Sequence, residues 1–243
     1  MILKEIGFDM PYLPSSEVIQ EISDRESISY DEASVLNYKL AWEEKRAFLN
    51  SETEALCAKV AARFPKIITD SFWKLMVECR EEIDSDRVWD EVDGILSIDV
   101  LFDYERYRVC NNIAKINMQI EALTHAVEVA IDQGYISLCP ILEITKEICG
   151  ENFQHKWIWK KIRLKNGFTA SIVMNHKLEA MEIGVLYENR KTGEQFERLL
   201  RKTDTSPFIY KDYLGKLIAR GENEIELVSK DQSFGIRDRI RSD

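Results

Sequence analysis

Glycine and proline are scarce in this chain, 10 and 5 of 243 residues, which excludes a collagen-like repeat or a low-complexity linker. Histidine is rarer still, with three in all, so an imidazole-based metal or acid-base centre has few places to be. No Gly-x-Gly-x-x-Gly, no Gly-Lys-Ser/Thr phosphate loop and no Gly-x-Ser-x-Gly nucleophile turn occurs, which removes the commonest nucleotide and hydrolase signatures. Long apolar runs are missing as well. The longest stretch without a charged side chain is the eleven residues Asn166 to His176, well short of the roughly 20 needed to span a bilayer. The first residues carry Glu5 and Asp9 and lack a basic start before an apolar run, so no secretory signal is expected. The five cysteines (Cys57, Cys79, Cys110, Cys139, Cys149) form no Cys-x-x-Cys pair and read as reduced, mostly buried thiols in a cytoplasmic protein. No cofactor, no catalytic residue and no membrane partner are expected.

Charge is plentiful and unevenly placed. Residues 1–153 hold 15 Lys and Arg against 30 Asp and Glu, net −15, while residues 154–243 hold 18 against 13, net +5. This divides the chain into an acidic domain, 1–153, and a basic one, 154–243.

The acidic part reads as helices. Ser29-x-x-Glu32 and Ser51-x-x-Glu54 have capping-box spacing, and helices are predicted after each, the second ending before Pro65. A further helix is predicted over Asp70–Glu82. The clearest one runs from Asp103 to Gln133, where Ile113, Ile116, Ile120, Leu123, Val127 and Ile131 recur at helical spacing and Gly134 supplies the stop. Ser137 caps a short one more.

After His155 the pattern changes. Two runs, from Lys156 to Lys165 and from Phe168 to Met174, flank Asn166-Gly167, the dipeptide that builds a tight hairpin turn. A second hairpin is expected around Asn189–Gly193, a last strand at Asn223–Ser229, and a frayed tail from Asp231. The fold class expected is α+β, an N-terminal helical bundle followed by a C-terminal antiparallel β-meander.

Three sites compete. Between Glu78 and Asp103 stand ten acids and two arginines. Of these, Glu78, Glu81, Glu82, Asp84, Asp86, Asp90, Glu91 and Asp93, with Trp89 among them, have the composition of a surface that steers and grips a basic protein. A solvated face would read the same way. The second site is the first hairpin. There Trp157 and Trp159 share a strand face with Lys161, Arg163 and Lys165, suited to stacking on bases and gripping phosphates, and Arg198, Arg201 and Lys202 could extend it. The third is a helix strip, Glu121, His125, Glu128 and Asp132, whose spacing could hold a divalent metal in a hydrolase. The expected function is a non-enzymatic cytoplasmic protein-binding protein, an inhibitor, immunity-type protein or adaptor acting through an acidic helical surface. Nucleic-acid binding and metal-dependent hydrolysis are the alternatives.

Overall fold

The computed structural model describes residues 1–89, 92–149, 153 and 155–240, and the chain divides into two compact units, Met1–Phe153 and Gln154–Asp243. Helices and antiparallel sheets are both present, so the class is α+β in the broad sense. The order of helices first and strands afterwards does not hold, because strands interleave with helices within the first unit. Among the described residues no helix is long and apolar enough to cross a membrane.

The first unit starts with β1 (Glu5–Asp9), followed by α1 (Ser16–Glu26), α2 (Tyr30–Asn37), a π-helical turn (Tyr38–Glu43) and α3 (Glu44–Ala61). Next come β2 (Lys74–Arg80), the two-residue β3 (Arg87–Val88) and β4 (Ile95–Leu101). Three helices close it: α4 (Tyr104–Val109), α5 (Asn112–Asp132) and α6 (Cys139–Cys149). The strands form one sheet in the order β1-β2-β4-β3, with β1, β2 and β4 parallel and β3 antiparallel at the edge. Residues 1–153 are therefore not a helical bundle. The helix predicted over Asp70–Glu82 is the strand β2, and the reason is periodicity: Leu75, Val77 and Cys79 are fully buried while Lys74, Met76, Glu78 and Arg80 alternate with them. A helix would scatter those three apolar positions around its axis, whereas a strand places them on one face. In register they meet Ile6 and Phe8 of β1 and Leu96, Ile98 and Val100 of β4, and helices α3 and α5 lie against the sheet.

Two of the predicted helix boundaries move. At Ser29 the capping box forms in full, the hydroxyl accepting from the Glu32 N–H at 3.3 Å and the Glu32 carboxylate accepting from the Ser29 N–H at 2.9 Å. At Ser51 it does not: α3 runs straight through, and the Ser51 hydroxyl donates to the Phe48 carbonyl of its own helix. The long helix expected from Asp103 is broken at Asn111, whose side chain accepts from the Ala114 N–H at 3.0 Å and starts α5 afresh. Ile116, Ile120, Leu123 and Val127 are buried as the stripe predicts, while Ile113, in the first turn of the new helix, is 75% exposed.

A charged pair is sealed between these helices. Lys115 of α5 donates to Glu52 of α3 at 2.8 Å, with both side chains under 10% exposed. Gln119 donates to the Tyr107 hydroxyl at 2.6 Å and to the Glu52 carbonyl at 3.3 Å. The Lys115 ammonium also sits over the Phe48 ring at 4.6 Å.

The second unit is all antiparallel pairing. Strands β5 (His155–Arg163), β6 (Phe168–His176), β7 (Met181–Asn189) and β8 (Gln195–Thr203) form a four-stranded meander. After the short helix α7 (Pro207–Tyr210), strands β9 (Lys216–Arg220), β10 (Glu224–Val228) and β11 (Gly235–Arg239) form a second sheet in the order β11-β10-β9. Side chains of both sheets, among them Ile172, Met174, Ile183, Tyr187, Leu217, Ile225 and Leu227, make one apolar core. The tail expected to fray from Asp231 instead turns back, with the Asp231 carboxylate accepting from the Ser233 N–H, and pairs as β11 along the full length of β10.

His176, at the end of β6, is 1% exposed. Burial, and then the neighbouring His155 ring, push its pKa down to about 4. The folded state thus binds its proton less readily than the unfolded chain does. Its contribution is whole above pH 6.5, the ordinary value, and drains away as pH falls toward 4. Urea unfolding of wild type against His176→Leu should show that the histidine accounts for a loss on the order of 3 kcal/mol across that window, with the variant's pH dependence correspondingly flatter. A second expectation concerns the sealed pair. Lys115→Met should cost about 3–5 kcal/mol by leaving the Glu52 carboxylate uncompensated, and the double variant Glu52→Leu/Lys115→Met should recover most of it in the same unfolding assay.

Candidate functional site

Parallel pairing sets three carboxylates in one transverse row. Asp9 of β1 stands opposite Glu78 of β2, and Glu78 opposite Asp99 of β4, all on the sheet face that alternates with the apolar one. Each is held by a partner. Arg46 of α3 makes a two-pronged contact to Asp9, at 2.5 and 2.6 Å. Ser97 donates to Glu78 at 3.0 Å, and Arg80 pairs with the buried Asp99 at 2.6 Å. Burial, then the charges of Asp9 and Asp99, raise the Glu78 pKa against the opposing pull of the Ser97 hydroxyl and Arg80.

The predicted acidic tract is therefore two populations. Glu78 and Asp99 belong to that internal row. Glu81, Glu82, Asp84 and Asp86 are exposed in the connection between β2 and β3, so the acidic surface sits on a loop at strand ends and not on helices. Glu81 pairs with Lys45 at 3.2 Å, and Asp86 with His125 at 2.8 Å. Glu82 and Asp84 make no hydrogen bond or ion pair among the described residues. Asp93 is exposed at a turn with φ +54°, and Asp103 caps α4 by accepting from the Arg106 N–H. Trp89 is half-buried and its ring face is taken: the Arg87 guanidinium lies 3.6 Å from the ring centroid. Asp90 and Glu91 lie outside the described residues.

The hairpin site is rearranged by a single residue. Trp157 pairs with Met174, Ile158 with Val173 and Lys160 with Ile172, so Trp159 is an extra residue, a bulge. A bulge reverses the alternation beyond it. Both tryptophans thereby join Ile162 against the apolar core, whereas Lys161, Arg163 and Lys165 are exposed and Ile158 is 43% exposed. The expected platform of indoles beside cations does not exist on one face. Arg198 turns to Asp238 and the Arg239 carbonyl, Arg201 lies over the Tyr213 ring, and Lys202 is exposed on β8. The helix strip Glu121, His125, Glu128 and Asp132 is exposed along α5. Its histidine is engaged by Asp86, and among the described residues no group of three or more His, Cys, Asp or Glu side chains is placed to hold a metal ion.

Sequence reasoning missed a cavity of about 590 Å³ at the carboxyl ends of β1 and β2, where parallel sheets commonly receive ligands. One wall is the strap Met10-Pro11-Tyr12-Leu13-Pro14 that leaves β1. The π-helical turn, with Ala41 and Trp42, also lines it, as do the end of β2, Cys79 and Arg80, and the exposed Glu81 and Glu82 that follow. Trp42 donates its indole N–H to the Met10 carbonyl at 2.6 Å, and Asn37 donates to the Tyr12 hydroxyl at 3.0 Å. Rings of Tyr12, Tyr38 and Trp42 pack edge and tilt at centroid distances of 4.5 to 5.4 Å. One helical turn beyond Trp42, Lys45 reaches Glu81 and Arg46 reaches Asp9. The spacing Trp42-x-x-Lys45-Arg46 was the available signal.

Replacing Glu78 by glutamine keeps an acceptor for Ser97 and removes the charge that burial opposes. Glu78→Gln should be more stable than wild type at pH 7. Because the folded pKa lies above the ordinary 4.5, the advantage should shrink as pH falls from the folded pKa toward 4.5 and be gone below it, where the carboxyl is protonated in folded and unfolded chain alike, measured as the difference in urea midpoints. Comparison of the chain with known protein families, with characterised protein sequences and with solved structures finds no match.

Proposed function

We propose that this protein is a non-enzymatic binding protein, of the inhibitor, immunity-type or adaptor kind, which engages a basic protein through the exposed loop between β2 and β3. The observation that carries this reading is the charge state of that loop. Four acids, Glu81, Glu82, Asp84 and Asp86, are exposed there, and the middle two have no cation beside them among the described residues. Carboxylates already matched by arginines give little field to a partner, and those left unmatched give most of it. The unit carrying the loop is net −15 over residues 1–153, which adds long-range attraction for a basic surface and repels nucleic acid. The single-strand reading loses its support because Trp157 and Trp159 pack against the core of the second unit. A cytoplasmic setting is part of the proposal and is favoured by five free thiols.

The test is capture from host lysate on immobilised wild type and on the variant Glu82→Lys/Asp84→Lys, at low and moderate salt. Wild type should retain a basic protein, and the variant should lose it. For the purified pair, charge reversal should slow association by roughly tenfold or more at low salt and by less as salt rises. Retention of the same protein by the variant, or of none by wild type at either salt, overturns the reading.

A further inference from the structure

We propose that the cavity beside the acidic loop is an anchor pocket for one aromatic or long aliphatic side chain, donated by a partner segment that carries lysine or arginine next to it. The inference rests on the binding reading above, because Glu81 and Glu82 belong both to the loop and to the cavity's edge.

About 590 Å³ is within the range of ligand pockets and larger than a single side chain, so the anchor and part of its neighbour fit together. Most of the lining, Met10, Leu13, Val18, Ala41 and Trp42 among it, is apolar or aromatic, and part of it faces water: Leu13 is 68% exposed and Val18 43%. Covering such carbon is the ordinary source of affinity at the centre of an interface.

The wall is also already in place. The Trp42 indole is tied to Met10, and Tyr12 is tied to Asn37, itself only 7% exposed. The π-helical turn that carries Trp42 and Ala41 interrupts what would otherwise be continuous α-helix from Tyr30 to Ala61. Such turns are rare, cost hydrogen-bond quality and recur at functional sites. A preformed wall loses little conformational freedom when it is filled.

Charge selects the occupant. The two cations lining the cavity are both satisfied, Arg80 by Asp99 and Lys45 by Glu81 and Glu105, so an incoming anion finds no free positive charge. Glu82 is exposed and unmatched among the described residues, and an incoming cation finds it at the rim. Cys79, which also lines the cavity, is fully buried, and that burial holds its thiol well above its ordinary pKa, which makes it a poor nucleophile.

The test is a random peptide library displayed on phage, selected on the wild-type protein, followed by fluorescence polarisation with a labelled synthetic peptide of the enriched sequence. Ala41→Phe fills the cavity from the π-helical turn. Val18→Trp fills it from α1 and serves if the first variant fails to fold, as judged by circular dichroism. Enriched peptides should share an aromatic or long aliphatic residue beside lysine or arginine, and binding should weaken about tenfold or more, worth about 1.4 kcal/mol, in a cavity-filling variant and again in Glu82→Lys. No enrichment, or enriched peptides without the apolar residue or without the basic one, overturns the proposal. So does a basic peptide whose affinity is unchanged by cavity filling and abolished by Glu82→Lys; in that case the charge reading of the previous section stands and the pocket alone falls.

Discussion

Like charges at the spacing of neighbouring strands, about 4.8 Å, repel one another, and the parallel register of β1, β2 and β4 places Asp9, Glu78 and Asp99 at that spacing on a half-buried face. Much of the first unit's layout follows from satisfying them. Arg46 must reach Asp9, which fixes where α3 begins relative to the end of β1. Trp42 lies one turn earlier, and its bond to Met10 fixes the strap that leaves the strand. Arg80 must turn toward Asp99, which leaves the next residues, Glu81 and Glu82, outside the sheet and facing water. The cavity is the space these three requirements leave between strap, helix and strand end.

What could be read in the sequence was local. Ser29-x-x-Glu32 and Asn166-Gly167 are complete devices within a few residues, and both form: the first as a two-way cap, the second as the turn between β5 and β6. The period-two pattern of β2 is equally plain in Lys74-Leu75-Met76-Val77-Glu78-Cys79-Arg80, though its seven residues are too few to set it apart by periodicity alone from a short buried helix. What could not be read depended on a single residue or a distant partner. The bulge at Trp159 has no signature in composition, yet it moves both indoles to the core face. Asn111 looks like an ordinary helix residue until its side chain caps Ala114. Neither Asp9 nor Arg46 is marked in the chain as belonging together, since they are 37 residues apart and meet only because β1 and α3 pack.

The electrostatic reading is sharpened by the same pairing. Counting charges between Glu78 and Asp103 treats ten acids as equivalent. In the fold Asp99 is nearly cancelled by Arg80, the Glu78 pKa is raised by burial and by the charges of Asp9 and Asp99, and Trp89, which stands among the acids of the tract, already has Arg87 stacked on it. Among the described residues the exposed, unmatched carboxylates of the tract are those of Glu82 and Asp84 in the loop and Asp93 at its turn. A partly apolar hollow adjoins that loop, with Glu81 and Glu82 at its edge.

The perturbed groups also bear on whether the site binds or reacts. Catalytic residues tend to be a set of titrating groups with displaced pKa values converging on one cleft. Here the displaced groups are dispersed: Tyr107 in the helical layer beside Gln119, Tyr187 against Asp238, His176 at the end of β6, and Cys57 and Cys79 beneath the first sheet's apolar face. In each the largest cause is burial, which disfavours the charged form. A thiol or phenol moved upward is a poorer nucleophile at neutral pH, and a histidine moved down to about 4 gives up its proton too readily to serve as an acid there. Cys79 lines the cavity, and its thiol is displaced toward the protonated form, which makes it a poor nucleophile at neutral pH.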